Sequence, residues 1–267
     1  KGYFKALRKV FNYPYKFILD KFREFFLFKK INLDKEKNNE ILRNMSFDKL
    51  FINFNSDKAS KFTLNNQTIN GHNYSPFYEK YLRKYKNKET LNILEIGSLR
   101  GAATASFFNY FKNPKITSVD INPFQIQVFS KNIRTLYANT QFTEILNNLS
   151  NYLNQEFDII IDDGSHNIKD QVISFNIFFR KLKSDGIYVI EDSSQYLSAP
   201  HLNPDNLTFG SKEILQSIKK NHLDYIRYLS SEQIIDLSKM IRNIFPEKGD
   251  FVENEINISE IIFVEKN

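Results

Sequence analysis

The chain has 267 residues, a formal net charge of +6 at pH 7 and no cysteine. Its length suits one large domain with an extension, or two small domains, and it can bury a core without cross-links. The absence of cysteine excludes disulfides, thiolate metal sites and cysteine nucleophiles, and no apolar stretch is long enough to span a bilayer. We expect a cytoplasmic protein, with the inner face of the membrane as an alternative.

Positive charge is concentrated in an N-terminal arm, residues 1–50. Residues 1–31 contain nine lysines and arginines and two acidic residues, which leaves the rest of the chain nearly neutral. A nucleic-acid-binding protein would carry its basic face on the folded body, so we expect no nucleic-acid partner. Apolar residues recur in the arm at near-helical spacing, broken at Pro14. This predicts a basic helical extension that contacts another subunit of a homo-oligomer, a domain preceding Lys1, or an anionic membrane surface.

Residues 51–90 are interpreted as a segment that covers a site further along the chain. Ser75 and Pro76 are typical of the first residues of a helix, and apolar residues follow at helical spacing. His72, Tyr74 and Tyr78 form a polar aromatic set suited to a sugar or an adenine face. The alternative is a linker followed by a surface helix.

From Leu91 onwards, short apolar runs alternate with helical patterns. The predicted strands are 92–97, 115–119, 135–138, 158–161 and 187–190, and the predicted helices are 102–111, 124–132, 146–153 and 168–182. The run at 157–161 is rich in isoleucine and is followed by Gly164, which is typical of a buried parallel strand. The alternation predicts an α/β fold with a Rossmann-like, doubly wound, mostly parallel sheet.

The C-terminal third has weaker signals. Helices are predicted at 210–220 and 230–245, within a variable insertion (200–250) expected on the acceptor side. Residues 251–265 alternate between apolar and polar residues, which predicts two closing strands, antiparallel at the sheet edge. Residues 91–267 are therefore expected to form one domain with a seven-stranded sheet.

A glycine turn follows the first strand of this domain. Gly97 and Gly101 lie in the pattern E-x-G-x-x-x-G that begins at Glu95, and Asp120 follows about 20 residues later. Such a turn lets a ligand approach the backbone, and such an acid can bind ribose hydroxyls. Leu99 stands where dinucleotide-binding enzymes have their central glycine, so we favour a cofactor without phosphates, such as S-adenosylmethionine (SAM).

Acidic residues end two strands that should be neighbours in the sheet. Asp163 follows the fourth strand, and Glu191 and Asp192 follow the fifth. Adjacent carboxylates repel each other unless a cation neutralises them, and oxygen ligands suit Mg²⁺, with Mn²⁺ as an alternative. His166 lies close enough to act as a base on a hydroxyl group. Solvated turns and a helix cap are the alternative interpretation of these residues.

Four stretches carry a resemblance to a known family: LEIGSLRGAATASFFNYF, SVDIN, FDIIIDDGSHNIKDQVISF and GIYVIEDSSQY. They resemble the metal-dependent SAM sugar O-methyltransferases, which methylate deoxysugars of macrolide antibiotics and their relatives in bacterial polysaccharide clusters. The upstream NSDKAS and HNYSPFYEKYL look like that family's covering segment. The resemblance extends over roughly residues 55–198 and the closing strands, and it implies the class I SAM methyltransferase fold.

The resemblance also implies roles for individual residues. Asp163, Glu191 and Asp192 would bind Mg²⁺, and His166, beside Asp163, would be the general base. The implied cofactor-binding residues are Glu95, Gly97, Ser98, Gly101, Asp120, Asn122, Ser56 and Lys58. The implied substrate-binding residues are His72, Tyr74, Tyr78 and Tyr196. Adenine contacts are expected after the third strand, at 143–150, where the sequence departs from the family pattern.

Three functions are compatible with these observations. The first is Mg²⁺-dependent methyl transfer from SAM to a sugar hydroxyl, for example on a nucleotide-linked heptose or deoxysugar for capsule or surface polysaccharide. The second is methyl transfer to a catechol, a phenol or another natural product, which also uses Mg²⁺ to hold neighbouring hydroxyls. The third, of another class, is a scaffold module that has lost catalysis. The intact acidic residues and His166 favour an enzyme.

Overall fold

The structure is a computed structural model, and it describes residues 30–36, 40–222 and 228–267. A seven-stranded sheet forms its centre. The strands are β1 Leu91–Ile96, β2 Pro114–Asp120, β3 Ile133–Tyr137, β4 Phe157–Asp162, β5 Leu182–Ile190, β6 Ile241–Lys248 and β7 Glu260–Lys266. Their order in the sheet is β6-β7-β5-β4-β1-β2-β3. Strands β1 to β5 pair in parallel, whereas β6 and β7 are antiparallel. The predicted mostly parallel α/β sheet is confirmed.

Helices cover both faces of this sheet. They are α1 Phe47–Asn53, α2 Ser75–Leu82, α3 Ala102–Tyr110, α4 Thr143–Tyr152, α5 Ile168–Phe178, α6 Ser211–Lys219 and α7 Ser231–Met240, with short helices at Leu33–Glu36 and Glu40–Arg43. All six residues of β4 are buried. Its alternate residues enter different cores: Ile159 and Ile161 face the core that contains Phe47 and Phe107, and Ile160 faces the core that contains Phe175. Burial of the strand on both faces explains its three consecutive isoleucines, 159–161.

The predicted helix at 124–132 is wrong. The segment forms a 3₁₀ turn at Pro123–Gln125 and a short strand at Val128–Phe129, which pairs in parallel with Ile31–Asn32. Ile126 and Val128 are buried, and a methyl group of Val128 lies 2.7 Å from where a side chain on Gly101 would begin. The segment is therefore extended because its β-branched residues pack against the glycine turn.

Two further predictions near the C-terminus need correction. The helix predicted at 230–245 ends at Met240, and residues from Ile241 form β6, an edge strand that tolerates Pro246. The closing antiparallel pair is therefore β6 with β7. Residues 252–257 form a separate small hairpin, made of Val252–Glu253 and Ile256–Asn257. In short apolar runs, the spacing of a helix and the alternation of an edge strand are hard to distinguish. Residues from Ile241 form a strand because they pair with β7.

The segment predicted to cover the site packs tightly on the body. Its polar loop contains a hairpin, Lys61–Leu64 paired with Gln67–Asn70, whose turn residues Asn65 and Asn66 both have positive φ, as a two-residue hairpin turn requires. In the arm, the described residues form Ile31–Asn32 and the short helices; the prediction for 1–29 lies outside the described residues. Within the described part of the chain, no helix is both long and apolar enough to cross a membrane.

A buried ion-pair cluster ties the amino ends of β1, β4 and β5 together. The Asp158 carboxylate is 1% exposed; it accepts hydrogen bonds from Lys88 Nζ (2.6 Å), Lys183 Nζ (3.0 Å) and the Asn92 N–H (2.7 Å). Although burial alone would raise its pKa, these bonds lower the pKa of Asp158 overall. A buried carboxylate with this many donors stabilises the strand ends only while all of them stay paired.

We expect Asp158→Asn to lower the free energy of unfolding by about 2–4 kcal/mol, because an amide puts a donor against the lysines. Urea unfolding followed by circular dichroism measures the change. Asp236→Asn is the matched control: Asp236 pairs with Arg180 at 3.4 Å on the surface, and its loss should cost no more than about 0.5 kcal/mol. Equal losses for the two variants would contradict the role given to Asp158.

Candidate active site

A cavity of about 650 Å³ lies at the carboxyl edge of the parallel strands. Its wall is built from the segments that follow β1, β2, β3, β4 and β5, together with Asp57 and His72 from the covering segment. In an open α/β sheet this edge is where ligands bind. Residues at the carboxyl ends of these five strands therefore line one cavity, as the sequence predicts.

One half of the cavity is formed by the glycine turn and the end of β2. Gly97 and Leu99 have positive φ (85° and 46°), and both oxygens of Asp120 accept backbone hydrogen bonds, one of them from the turn. The Leu99 N–H donates to Asp120 Oδ2 (2.7 Å), and the Asn122 N–H donates to Asp120 Oδ1 (2.7 Å). A carboxylate has about four acceptor positions, so Asp120 keeps capacity for ligand hydroxyls.

The predicted cofactor residues divide into two groups. Gly97, Asp120 and Asn122 line the cavity. Glu95, Ser98, Gly101, Ser56 and Lys58 do not line it. Glu95 is buried and accepts a hydrogen bond from the Thr104 hydroxyl, and burial raises its pKa to about 7. Its position indicates that it supports the turn from behind.

The other half of the cavity holds the acidic residues. Asp163, His166 and Asp192 can each bring one ligand atom within 4.8 Å of the others. Nε2 of His166 lies 3.7 Å from Asp163 Oδ1, and its Nδ1 is buried without a hydrogen-bond partner among the described residues. His166 has a φ of 55°, in the left-handed region, and is one of the residues that line the cavity. Oxygen-rich ligands with one imidazole form a set that can hold a divalent cation.

Glu191 sits beside this group but is not part of it. One of its oxygens contacts Lys58 Nζ at 2.6 Å, and the other accepts a hydrogen bond from the Tyr78 hydroxyl. The same ammonium lies 2.5 Å from Asp163 Oδ2, so the facing oxygens of Asp163 and Glu191 border one small volume. Burial alone would lower the pKa of Lys58, but the charges of the two carboxylates raise it, so the side chain is cationic.

Asp192 is held by the covering segment. The Tyr74 hydroxyl donates to Asp192 Oδ1 at 2.6 Å, and His72 Nδ1 lies 3.1 Å from the same oxygen. Burial alone would raise the pKa of Asp192, but the hydrogen bonds and positive charge from His72 lower it. Tyr74 and Tyr78 are fully buried, so the structure places them behind the carboxylates, whereas His72 reaches the cavity wall. Tyr196, the fourth predicted substrate residue, packs against Gly210 and does not line the cavity.

Several wall residues escape prediction from the sequence. Residues 138–141, directly after β3, line the cavity together with Ile121 and Gln125. The adenine contacts predicted at 143–150 fall on α4, none of whose residues reaches the wall. The useful signal is position: residues at the carboxyl end of a parallel strand reach the ligand edge, whereas those in the following helix turn away.

Asp162, the neighbour of the predicted ligand Asp163, faces the core. It accepts hydrogen bonds from the Tyr188 hydroxyl (2.9 Å) and the Gly164 N–H (3.3 Å), and burial raises its pKa to about 6. The folded state therefore binds the proton more tightly than the unfolded state, and the stabilisation is complete below pH 4 and lost between about pH 4 and 6.

We expect Asp162→Asn, which mimics the neutral carboxyl group, to be as stable as the wild type at pH 4 and more stable at pH 8 by up to about 3 kcal/mol. Urea unfolding at intervals from pH 4 to 8 measures both curves. In the variant, the free energy of unfolding should still fall with rising pH, less steeply, up to about pH 7, because burial also raises the pKa of Glu95. Parallel curves for the two proteins would show that Asp162 stays ionised in the fold.

Comparison with known proteins relates this site to a family. Residues 87–248 match the family model described as "Methyltransferase domain". Mycinamicin VI 2''-O-methyltransferase of Micromonospora griseorubida is 30% identical over 128 residues, which is 45% of this chain and 31% of that protein. L-olivosyl-oleandolide 3-O-methyltransferase of Streptomyces antibioticus is 26% identical over 188 residues, which is 68% of this chain and 46% of that protein. The matches thus span about a third to a half of these relatives.

Solved structures agree with the fold. The MycE methyltransferase of the mycinamycin pathway, in complex with Mg and SAH, superposes with a TM-score of 0.60 at 23% identity, over 84% of this chain and 55% of that one. The same enzyme with mycinamycin VI also bound superposes with the same TM-score at 21% identity. At this level of identity, the similarity establishes a common architecture.

Proposed function

Because the chain belongs to the methyltransferase domain family, we propose that its cavity transfers a methyl group from SAM to a sugar hydroxyl with the help of Mg²⁺. One observation carries the proposal: Asp163, His166 and Asp192 converge in the wall of the same cavity that is lined by the glycine turn and by Asp120. The cavity therefore offers a cation site and a nucleoside site side by side. Curated relatives that are sugar O-methyltransferases support the choice of acceptor.

The donor half suits SAM. Gly97, Leu99 and Asp120 line the cavity, and Asp120 keeps acceptor positions that could bind the hydroxyls of a ribose. No lysine or arginine lines the cavity in the described part of the chain, which favours a methyl donor without a pyrophosphate beside the glycine turn. SAM supplies a methyl group already activated by its sulfonium. The chain's own part is to align that methyl group with the acceptor oxygen.

The acceptor half suits a cation and a hydroxyl. Asp163 and Asp192 would hold Mg²⁺, with Glu191 as a third ligand once its oxygen is free of Lys58. Bound there, Mg²⁺ would orient the acceptor hydroxyl and lower its pKa. His166 would accept the hydroxyl proton on Nε2, the nitrogen that faces Asp163. Because His166 lines the cavity, the proton could pass to it directly, without an intervening residue. For the acceptor we propose a nucleotide-linked sugar of a surface polysaccharide, a finer assignment that rests on the sequence resemblance.

The proposal is tested by release of S-adenosylhomocysteine, measured by mass spectrometry, with nucleotide sugars, free glycosides and catechols as acceptors. We expect turnover with a sugar in Mg²⁺ and a loss of about 100-fold or more after chelation, because the cation contributes several kcal/mol. Full turnover in excess chelator would contradict the cation's role. Turnover restricted to catechols would contradict the acceptor class, and the absence of SAM binding by calorimetry would contradict the activity altogether.

A further inference from the structure

Lys58 is a buried cation inside the group of carboxylates. Its side chain is 4% exposed, and its ammonium contacts Asp163 Oδ2 at 2.5 Å and Glu191 Oε2 at 2.6 Å. Glu191 is even more deeply buried, with a side chain that is 1% exposed. Such a carboxylate would carry a large desolvation cost without a positive partner. Lys58 supplies that charge in the absence of any metal ion.

The lysine is anchored firmly by the covering segment. Its N–H donates to the Ser56 hydroxyl at 3.4 Å, and its carbonyl accepts from the Tyr74 N–H at 2.9 Å. Tyr74 in turn donates to Asp192, and Tyr78 donates to Glu191. The segment therefore reaches all the acidic residues of the site, and Lys58 is its only lysine or arginine that contacts Asp163 or Glu191 among the described residues.

We propose that Lys58 is the counter-cation of the metal-free site and that its ammonium competes with a divalent cation for Asp163 and Glu191. This inference rests on the proposed function, since it concerns the same cation site. Two positive charges cannot share these oxygens at contact distance without strong repulsion. Binding of the metal must therefore move the ammonium away from at least one carboxylate. Lys58 is thus a positioning residue, because it keeps the site folded and neutralised until the metal arrives.

The competition has a signature that does not depend on turnover. Lys58→Met keeps the length of the side chain and removes the charge, so Asp163 and Glu191 lose the ammonium group that lies between them. We expect the melting temperature of the chelator-treated variant to fall by about 6–12 °C. Saturating MgCl₂ should restore most of this loss, and calorimetry should show Mg²⁺ binding at least about tenfold tighter than in the wild type.

Lys88→Met is the matched control. Lys88 also contacts a buried carboxylate at 2.6 Å, that of Asp158, but it lies at the opposite edge of the sheet. We expect its melting temperature to fall without any extra recovery in MgCl₂. The double variant Lys58→Met/Glu191→Gln tests the charge directly, because it removes both members of the pair and should regain stability in chelator.

Three results would overturn the inference. If wild type and Lys58→Met bind Mg²⁺ equally and gain the same thermal shift, the competition is absent while the proposed function stands. If neither protein binds Mg²⁺, the metal requirement of the proposed function fails, and the competition fails with it. If Lys58→Met does not fold and the double variant does not fold either, Lys58 is needed for packing and not for its charge.

Discussion

Replacing His166 with asparagine is expected to lower kcat by about 10²–10⁴-fold while SAM still binds. Asparagine tolerates the left-handed backbone that His166 adopts, with a φ of 55°, whereas most other residues would add strain at this position. The substitution therefore removes the titratable nitrogen and leaves the loop between β4 and α5 in place. Single-turnover kinetics measure the chemical step, and calorimetry with SAM measures binding.

His201→Asn is the matched control for this prediction. His201 is exposed in the 3₁₀ turn Pro200–Leu202 and does not line the cavity, so turnover should stay unchanged. Wild-type turnover in His166→Asn would exclude His166 as the base. A loss of SAM binding together with turnover would instead assign it a structural role in the cavity wall.

The layout of the sheet could be predicted because its signals are local. The buried strand at Phe157–Asp162 contains three consecutive isoleucines, and the acids that follow it lie at the ligand edge for any parallel arrangement. The sequence alone therefore predicts that one site contains the residues Gly97, Asp120, Asp163, His166 and Asp192. The predicted ends of the elements near the C-terminus are wrong because β6 is an edge strand, and its formation depends on pairing with β7.

The partners of the carboxylates could not be predicted, because each contact joins residues that are far apart in sequence. Lys58 contacts Glu191, which lies 133 residues further along the chain, and Tyr74 contacts Asp192, which lies 118 residues further along. The family resemblance implies a cofactor role for Lys58, and the polar aromatic character of Tyr74 and Tyr78 suits a sugar or an adenine face. In the fold Lys58 lies between Asp163 and Glu191, and the two tyrosines lie behind the carboxylates, where they donate hydrogen bonds to Asp192 and Glu191. Burial of these side chains distinguishes a supporting role from ligand binding, and burial arises only when the covering segment packs on the sheet.

Gly97→Ala is expected to be the most damaging glycine-to-alanine substitution among the described residues. A Cβ at this position would lie 1.8 Å from the Asp163 carbonyl oxygen, and the residue has a φ of 85°. Backbone atoms cannot yield as a flexible side chain does, so the loop that carries Asp163 and His166 must shift. We expect a loss of more than about 3 kcal/mol in unfolding free energy, and activity lost in whatever protein remains folded.

Gly101→Ala separates the two causes of this loss. Gly101 has nearly the same φ, 83°, but a Cβ there would meet only side-chain atoms, Val128 Cγ2 at 2.7 Å being the nearest. It should therefore cost about 1–2 kcal/mol from the backbone conformation, plus a smaller packing loss as Val128 adjusts. Urea unfolding and SAM calorimetry on both variants make the comparison. If Gly97→Ala proved no worse than Gly101→Ala, the close approach of the glycine turn to the Asp163 carbonyl would not constrain the site, and the donor and cation halves of the cavity would be mechanically independent.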